Sequence, residues 1–314
     1  MMKHRVLTIL SLIAFVVAGA SCERELFSPD DVGTLVVNSM LFVDKPFDDI
    51  YLYRAQSAET PFDPLKAAER GARVTIRTKT AAIQFREEPG APGRYTWLGS
   101  APPYVNTVEP ETTYWLEIVT RSGETLTATT TTPPRLTVTD WVLLDDLGVT
   151  VERRLRTFAE LDDSVYYAPE NQLIYSEGLL EAWPDPVATA AYQAGIYSID
   201  KDSDFVIDPE FLDEEDFEEF ERNISSPPIL PSETKIRLPW FAIYFEGRYK
   251  IKIFAIDKNW YDLVRSVPEL SGGGGFGGNI GDDFERPIFQ VDGGIGFFGS
   301  ASMDSVGFYV HPRQ

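Results

Sequence analysis

Thr113-Tyr114-Trp115-Leu116-Glu117-Ile118-Val119-Thr120 decides the fold class. Tyr114, Leu116 and Ile118 recur at every second position, which places them on one face of an extended strand and would scatter them around a helix. Their β-branched and aromatic neighbours suit a pleated, half-buried surface. The same kind of short run recurs at 35–42, 49–56, 72–78, 81–87, 94–98 and 125–132. Turn formers stand between the runs, among them Pro89-Gly90-Ala91-Pro92-Gly93 and Ser122-Gly123. Seven strands within roughly 100 residues predict a fibronectin/immunoglobulin-like β-sandwich.

The sandwich is expected over 34–133, because Pro133 and Pro134 follow the last run and neither can donate to a sheet ladder. Beyond them the sequence predicts a second β-rich domain with short helices over 134–314, so the chain reads as all-β, that is, mainly β. Strands are expected at 141–144, 149–155, 236–245, 249–256 and 305–310, with Glu246-Gly247 as a hairpin turn. Tyr249, Ile251, Ile253 and Ala255 alternate with Lys250, Lys252 and Phe254, the pattern of a strand with one wetter face. The stretch 166–175 is ambiguous, and 188–199 fits a strand or a short helix. Asp257 is placed to cap a helix over 258–267, whose Trp260, Leu263, Val264 and Val267 form an apolar stripe.

The amino terminus has the order of a secretory signal. Lys3 and Arg5 precede an apolar run over 6–17, and Gly19-Ala20-Ser21-Cys22 closes it with small residues. The run is shorter than the roughly 20 residues a helix needs to cross a bilayer. A cysteine here resembles the bacterial lipobox, in which the thiol carries a diacylglyceryl group, the preceding peptide is removed and the new amino terminus is acylated. Residues 1–21 are then the signal peptide, Cys22 the lipidation site and 22–33 a polar tether to the lipid bilayer. The competing reading is an ordinary signal followed by a free thiol.

Composition narrows the chemistry. With 314 residues there is room for two cores. The net charge of −21, two units more negative once Lys3 and Arg5 leave, argues against nucleic acid and anionic membrane surfaces as partners. Cys22 is the only cysteine and His4 and His311 are the only histidines, so internal disulfides, Cys/His zinc sites and Cys-His nucleophile pairs are excluded in the mature monomer. A serine triad would have to use His311, which reads as an exposed polar residue. The expectation is a protein that is not an enzyme and has no cofactor. The catalytic alternative is a glycan hydrolase with two carboxylates about 5–10 Å apart, and 49 acidic residues leave no basis for choosing a pair.

Residues 200–222 form an acidic insert. Within it Asp200, Asp202 and Asp204 alternate like the oxygen ligands of a calcium loop. Phe205 stands where such a loop needs glycine and Phe211 where it needs glutamate, so a solvated acidic loop competes with a calcium site. Calcium would suit an adhesion or structural module. Asp208 and Pro209 then open an expected helix over 209–222. Trp97, Tyr104, Trp240 and Trp260 are candidate ligand-contacting aromatics, with core packing as the alternative.

Two glycine-rich stretches mimic nucleotide motifs. Gly272 to Gly281 lacks the Gly-Lys-Ser/Thr of a phosphate loop, and Gly294-Ile295-Gly296-Phe297-Phe298-Gly299 comes too near the end of the sequence for a βαβ unit to follow. The second stretch is instead expected to turn a sheet corner, with Phe297 and Phe298 packing inward.

Taken together, Ser21-Cys22, Leu35-Val36-Val37-Asn38, Gly71-Ala72-Arg73-Val74, Gly93-Arg94-Tyr95, Ile256-Asp257-Lys258-Asn259-Trp260-Tyr261-Asp262 and Gly293-Gly294-Ile295-Gly296-Phe297-Phe298-Gly299 resemble the DUF4249 family of Bacteroidota lipoproteins. The resemblance implies a lipid-anchored protein of the outer membrane, exposed at the cell surface. Its implied role is that of a non-catalytic binding or accessory component beside a TonB-dependent transporter. Glu23 and Glu25 resemble the acidic export signal of such lipoproteins. The family supplies no catalytic residues.

Overall fold

The structure, a computed structural model, describes residues 32–57, 59, 61–97, 99, 107–157, 163–206, 222–267 and 287–313. It is mainly β. The first seven strands are β1 (Leu35–Phe42), β2 (Ile50–Arg54), β3 (Arg73–Arg77), β4 (Ala82–Glu87), β5 (Arg94–Trp97), β6 (Thr113–Val119) and β7 (Thr125–Thr131). Each lies within a run read from sequence. A one-turn helix, α1 (Pro64–Ala67), capped by Asp63, was not legible as a periodic pattern. Then come β8 (Val138–Leu144), β9 (Val151–Arg154), β10 (Gln172–Ile174), β11 (Leu179–Pro184), β12 (Ala191–Ser198), β13 (Asn223–Ser225), β14 (Ile236–Leu238) and β15 (Gly247–Ile256). Helix α2 (Lys258–Ser266), β16 (Val291–Asp292) and β17 (Ile295–His311) close the fold. Among the described residues no helix is long and apolar enough to cross a membrane.

Strands β1 to β7 wrap around one core. Tyr114, Leu116 and Ile118 of β6 are buried there with Val37, Ile50, Leu52, Val74 and Ile76. Their strands run in the order β1-β2-β5-β4-β3-β6-β7 within a single large sheet, which continues from β1 through β17 to β15, β12 and β13. A second sheet, β14-β11-β8-β9, supplies Val138, Trp141, Leu143 and Leu180 to a core shared with Tyr192, Ile251, Ile253, Val306 and Phe308 of the large sheet. Residues on the inner faces of the two sheets meet there as in a sandwich.

The closing strand serves both cores. Residues 295–301 of β17 run parallel to β1, with Asn38 opposite Phe297, while 301–310 run antiparallel to β15. Phe298 enters the first core and Val306, Phe308 and Val310 the second. Gly293 (φ +78°) and Gly296 (φ +115°) make the corner possible. A Cβ on Gly296 would stand 2.0 Å from the Val37 carbonyl oxygen, so no other residue fits. This is the sheet-corner role expected for the stretch.

Three expectations for the second half need correction. Residues 236–245 are not one strand: β14 ends at Leu238 and Trp240–Ala242 forms a 3-10 turn. Glu246-Gly247 is not a hairpin, since β14 lies in the small sheet and β15 in the large one. His311 is not a free polar residue; it is partly buried, pairs with Gln172 at 2.8 Å and lies against Tyr309 with ring centroids 4.5 Å apart. Of the ambiguous stretches, 188–199 contains strand β12, and 166–175 is divided between 3-10 turns and β10.

Candidate functional site

The sequence Ile256-Asp257-Lys258-Asn259-Trp260-Tyr261-Asp262 opens α2, and the structure packs its Ile256, Trp260 and Tyr261 in a small third cluster with Ala191, Phe254 and Ala301. Asp257 is the N-cap, its Oδ1 accepting from the Trp260 N–H at 2.9 Å. Its other oxygen accepts from the Thr130 hydroxyl of β7, which is itself 2.7 Å from the Ser300 hydroxyl of β17. Asn259 donates from one amide nitrogen to the carbonyls of Thr129 at 2.7 Å and Phe298 at 2.8 Å. Trp260 donates to Gln193 at 3.1 Å and meets Phe297 edge-on with centroids 5.9 Å apart. Helix α2 therefore fastens β7, β12 and β17 together.

The charges of α2 follow the same logic. Burial pushes the Asp257 carboxyl above the usual carboxylate range, against the hydrogen bonds it accepts. Asp262, with a side chain only 1% exposed, is held below that range although burial opposes it. Lys258 and Gln290 donate to one of its oxygens at 2.7 and 2.8 Å, and Arg265 donates to the other at 3.0 Å.

Beside this junction lies an open cleft of about 520 Å³, walled by Thr129 to Thr132, the turn Pro133-Pro134, Ala188-Thr189-Ala190 and the start of α2. Its lining is more apolar than polar, and the hydroxyls of Thr130, Thr132 and Thr189 are engaged within the fold, with Asp257, the Glu109 carbonyl and the Ile256 carbonyl. The Asp257 carboxylate is turned to its own cap and to Thr130.

The acidic residues form a second, shallower cleft of about 430 Å³ with Glu246, Gly247 and Tyr309. Asp200 is committed within it: Oδ1 accepts from Arg248 Nε at 2.9 Å and Nη2 at 2.7 Å, and Oδ2 accepts from the Arg248 N–H at 2.7 Å. Burial works to raise the Asp200 carboxyl, and Arg248 outweighs it and holds the group low. Arg222 donates to the Asp200 carbonyl and to Ser203 Oγ at 3.2 Å. Among the described residues no three acidic, histidine or cysteine side chains converge on a metal position, so Asp200, Asp202 and Asp204 are not brought together as a ligand set. An arginine 48 residues away occupies the first carboxylate, a partner that ligand spacing along the chain gives no hint of.

Cys22, the tether to residue 31, Tyr104, most of the acidic insert, all but the last residue of the helix expected at 209–222 and Gly272 to Gly281 lie outside the described residues. Of the other candidate aromatics, Trp240 is buried with its Nε1–H donating to Gly178 at 2.8 Å, while Trp97 and Trp260 pack partly buried against cores. All three take the packing role. Comparison with curated proteins gives no match. A family model, a domain of unknown function designated DUF4249, matches residues 24–306, and the chain belongs to that family.

Proposed function

We propose that this protein is a lipoprotein anchored through Cys22 in the outer membrane and exposed at the cell surface, where it acts as a non-catalytic binding or accessory component beside a TonB-dependent transporter. The observation that carries the reading is the order of the amino-terminal residues: a basic start, an apolar run too short to span, and small residues ending at the sole cysteine. The fold takes hold at Gly33, whose N–H donates to the Ala55 carbonyl at 2.8 Å and whose carbonyl accepts from Arg54 at 3.0 Å. The ten residues between Cys22 and Gly33 reach about 35 Å when extended, enough to hold a folded body clear of headgroups. Several acyl chains, at about 0.8 kcal/mol per buried methylene, give a firm anchor that a surface this acidic would not supply.

The test has two arms. Metabolic labelling with a palmitate analogue should mark the wild-type protein and leave Cys22→Ser unmarked and released from the membrane fraction; an unmarked wild type overturns the anchor. Purification of the labelled protein from outer membranes should bring down a TonB-dependent transporter at a fixed ratio. Its absence under mild detergent and cross-linking overturns the accessory role while leaving the anchor standing.

A further inference from the structure

The face of the large sheet turned away from the second core carries lysines that no acid among the described residues pairs with. Lys250 and Lys252 alternate on β15 with the buried Tyr249, Ile251 and Ile253, so their side chains leave the same face about 7 Å apart. The register gives Lys250 the neighbours Tyr197 and Gly307, and Lys252 the neighbours Gly195 and Ser305. None of the four is acidic. Lys45 follows β1 on the other flank of β17, where the Val43 N–H donates to the Ala301 carbonyl at 2.9 Å. Among the described residues none of the three lysines makes an ion pair, whereas Arg54, Arg94, Arg135, Arg248 and Lys258 all do.

This is costly as it stands. Lys250 and Lys252 are both only partly exposed; burial and the Lys45 charge lower the affinity of Lys250 for the proton, and burial with the Lys250 and Lys45 charges lowers that of Lys252. In a chain with 49 acidic against 28 basic residues, a carboxylate beside such a group is easily supplied, yet glycine, glycine and serine stand there. The patch has walls: Val165 and Tyr166 lie over Gly307 at one end, and Phe42 and Trp260 pack on Phe254 at the other. The Tyr197 ring lies 4.9 Å from the Lys252 ammonium.

We propose that Lys45, Lys250 and Lys252, with the Ser305 hydroxyl and the Tyr197 ring beside them, bind the oxyanion group of a ligand, a phosphate, sulfate or carboxylate carried by a small molecule or by a lipid headgroup. Two ammonium groups on one strand and a third across β17 match an anion whose oxygens are shared among several donors. Serine and tyrosine add the hydrogen bond and the flat contact that sugar-like or phosphate-bearing groups use. The assignment goes beyond the anchoring reading and stands or falls without it, since Cys22 takes no part.

Calorimetric titration of the purified full chain at low salt, with inorganic phosphate, sulfate and trigalacturonate as soluble probes, tests the site. A parallel arm uses phosphatidylglycerol vesicles against phosphatidylcholine vesicles. At least one probe should bind saturably with one site per chain, and a Lys250→Gln/Lys252→Gln double variant should lose at least tenfold in affinity while Lys66→Gln, at an exposed lysine elsewhere, keeps it. Binding confined to the phosphatidylglycerol arm identifies the headgroup as the source; binding of a soluble probe identifies a free ligand. The double variant should melt no lower than wild type, because it removes a repulsion, and Lys45→Gln gives a second route should it express poorly. Absence of saturable binding to every probe, or binding that survives the lysine substitutions unchanged, overturns the proposal.

Discussion

The hydroxyl of Thr130 donates to the buried carboxylate of Asp257, 127 residues further along the chain. The bond ties β7 to the first turn of α2, and Ser300 joins it from the closing strand. Its three members are all at most 7% exposed. A charged oxygen in such a place depends on its donors, so the junction should be sensitive to loss of any one.

Thr130→Val keeps the shape and removes the donor. It should cost about 1–3 kcal/mol, measured by chemical denaturation, because the carboxylate left behind is buried and short of a partner. A loss under about 0.5 kcal/mol would mean the junction is held by packing alone.

Asp257 also sets a pH dependence. Its carboxyl titrates higher in the folded chain than in the unfolded one, so the folded form binds the proton more tightly. That contribution is fully present below the unfolded value of about 4 and is lost as pH rises through the folded value. Asp257→Asn retains a capping side chain without the charge. Relative to this variant, wild type should lose stability between pH 4 and 7, and parallel denaturation curves at both pH values would contradict the assignment.

Asp262 behaves in the opposite sense. Held low by Lys258, Gln290 and Arg265, it contributes stability above the unfolded value of about 4, and the contribution disappears as pH falls through the folded value. Asp262→Ala should therefore cost about 1–3 kcal/mol near pH 7. The difference from wild type should shrink by pH 3.

Gly296→Ala places a methyl group against the Val37 carbonyl at a positive φ. The backbone of β1 must shift to admit it. Destabilisation of about 3 kcal/mol or more is expected, read as a fall in soluble yield and in the denaturation midpoint.

In the acidic cleft, Arg248 already supplies a cation to Asp200. Millimolar calcium or chelator should move the melting temperature by less than about 1 °C. A rise of several degrees with calcium would show that Asp200, Asp202 and Asp204 can gather after all.

Much of this fold was legible because local pattern and burial agree. In β6 and β15 every second residue is apolar and buried, and Asp257 stands where a cap should. β11 was missed because Leu179-Leu180-Glu181-Ala182-Trp183-Pro184 lacks alternation: Leu180, Glu181 and Ala182 are all buried, Glu181 by pairing with Arg237 and Trp183. The sharing of β17 between two cores was invisible for a different reason. Parallel pairing of 36–42 with 295–301 joins segments about 260 residues apart, and no local signal encodes such a partner. At the sites, spacing identified Asp200 as an oxygen ligand, and only the folded chain shows that an arginine had taken it.

Because β1 needs β17 as its neighbour, the sheet around the first core cannot be completed until residues 295–301 are available. Residues 35–42 must wait, one edge open, until residues 295–301 have emerged, and the strand carries the apolar Leu35, Val37 and Leu41. An open strand of this kind invites pairing with other chains. The interval between first and last contact is therefore the period when this molecule most needs a chaperone, and a nascent chain stalled before residue 295 should remain bound to one.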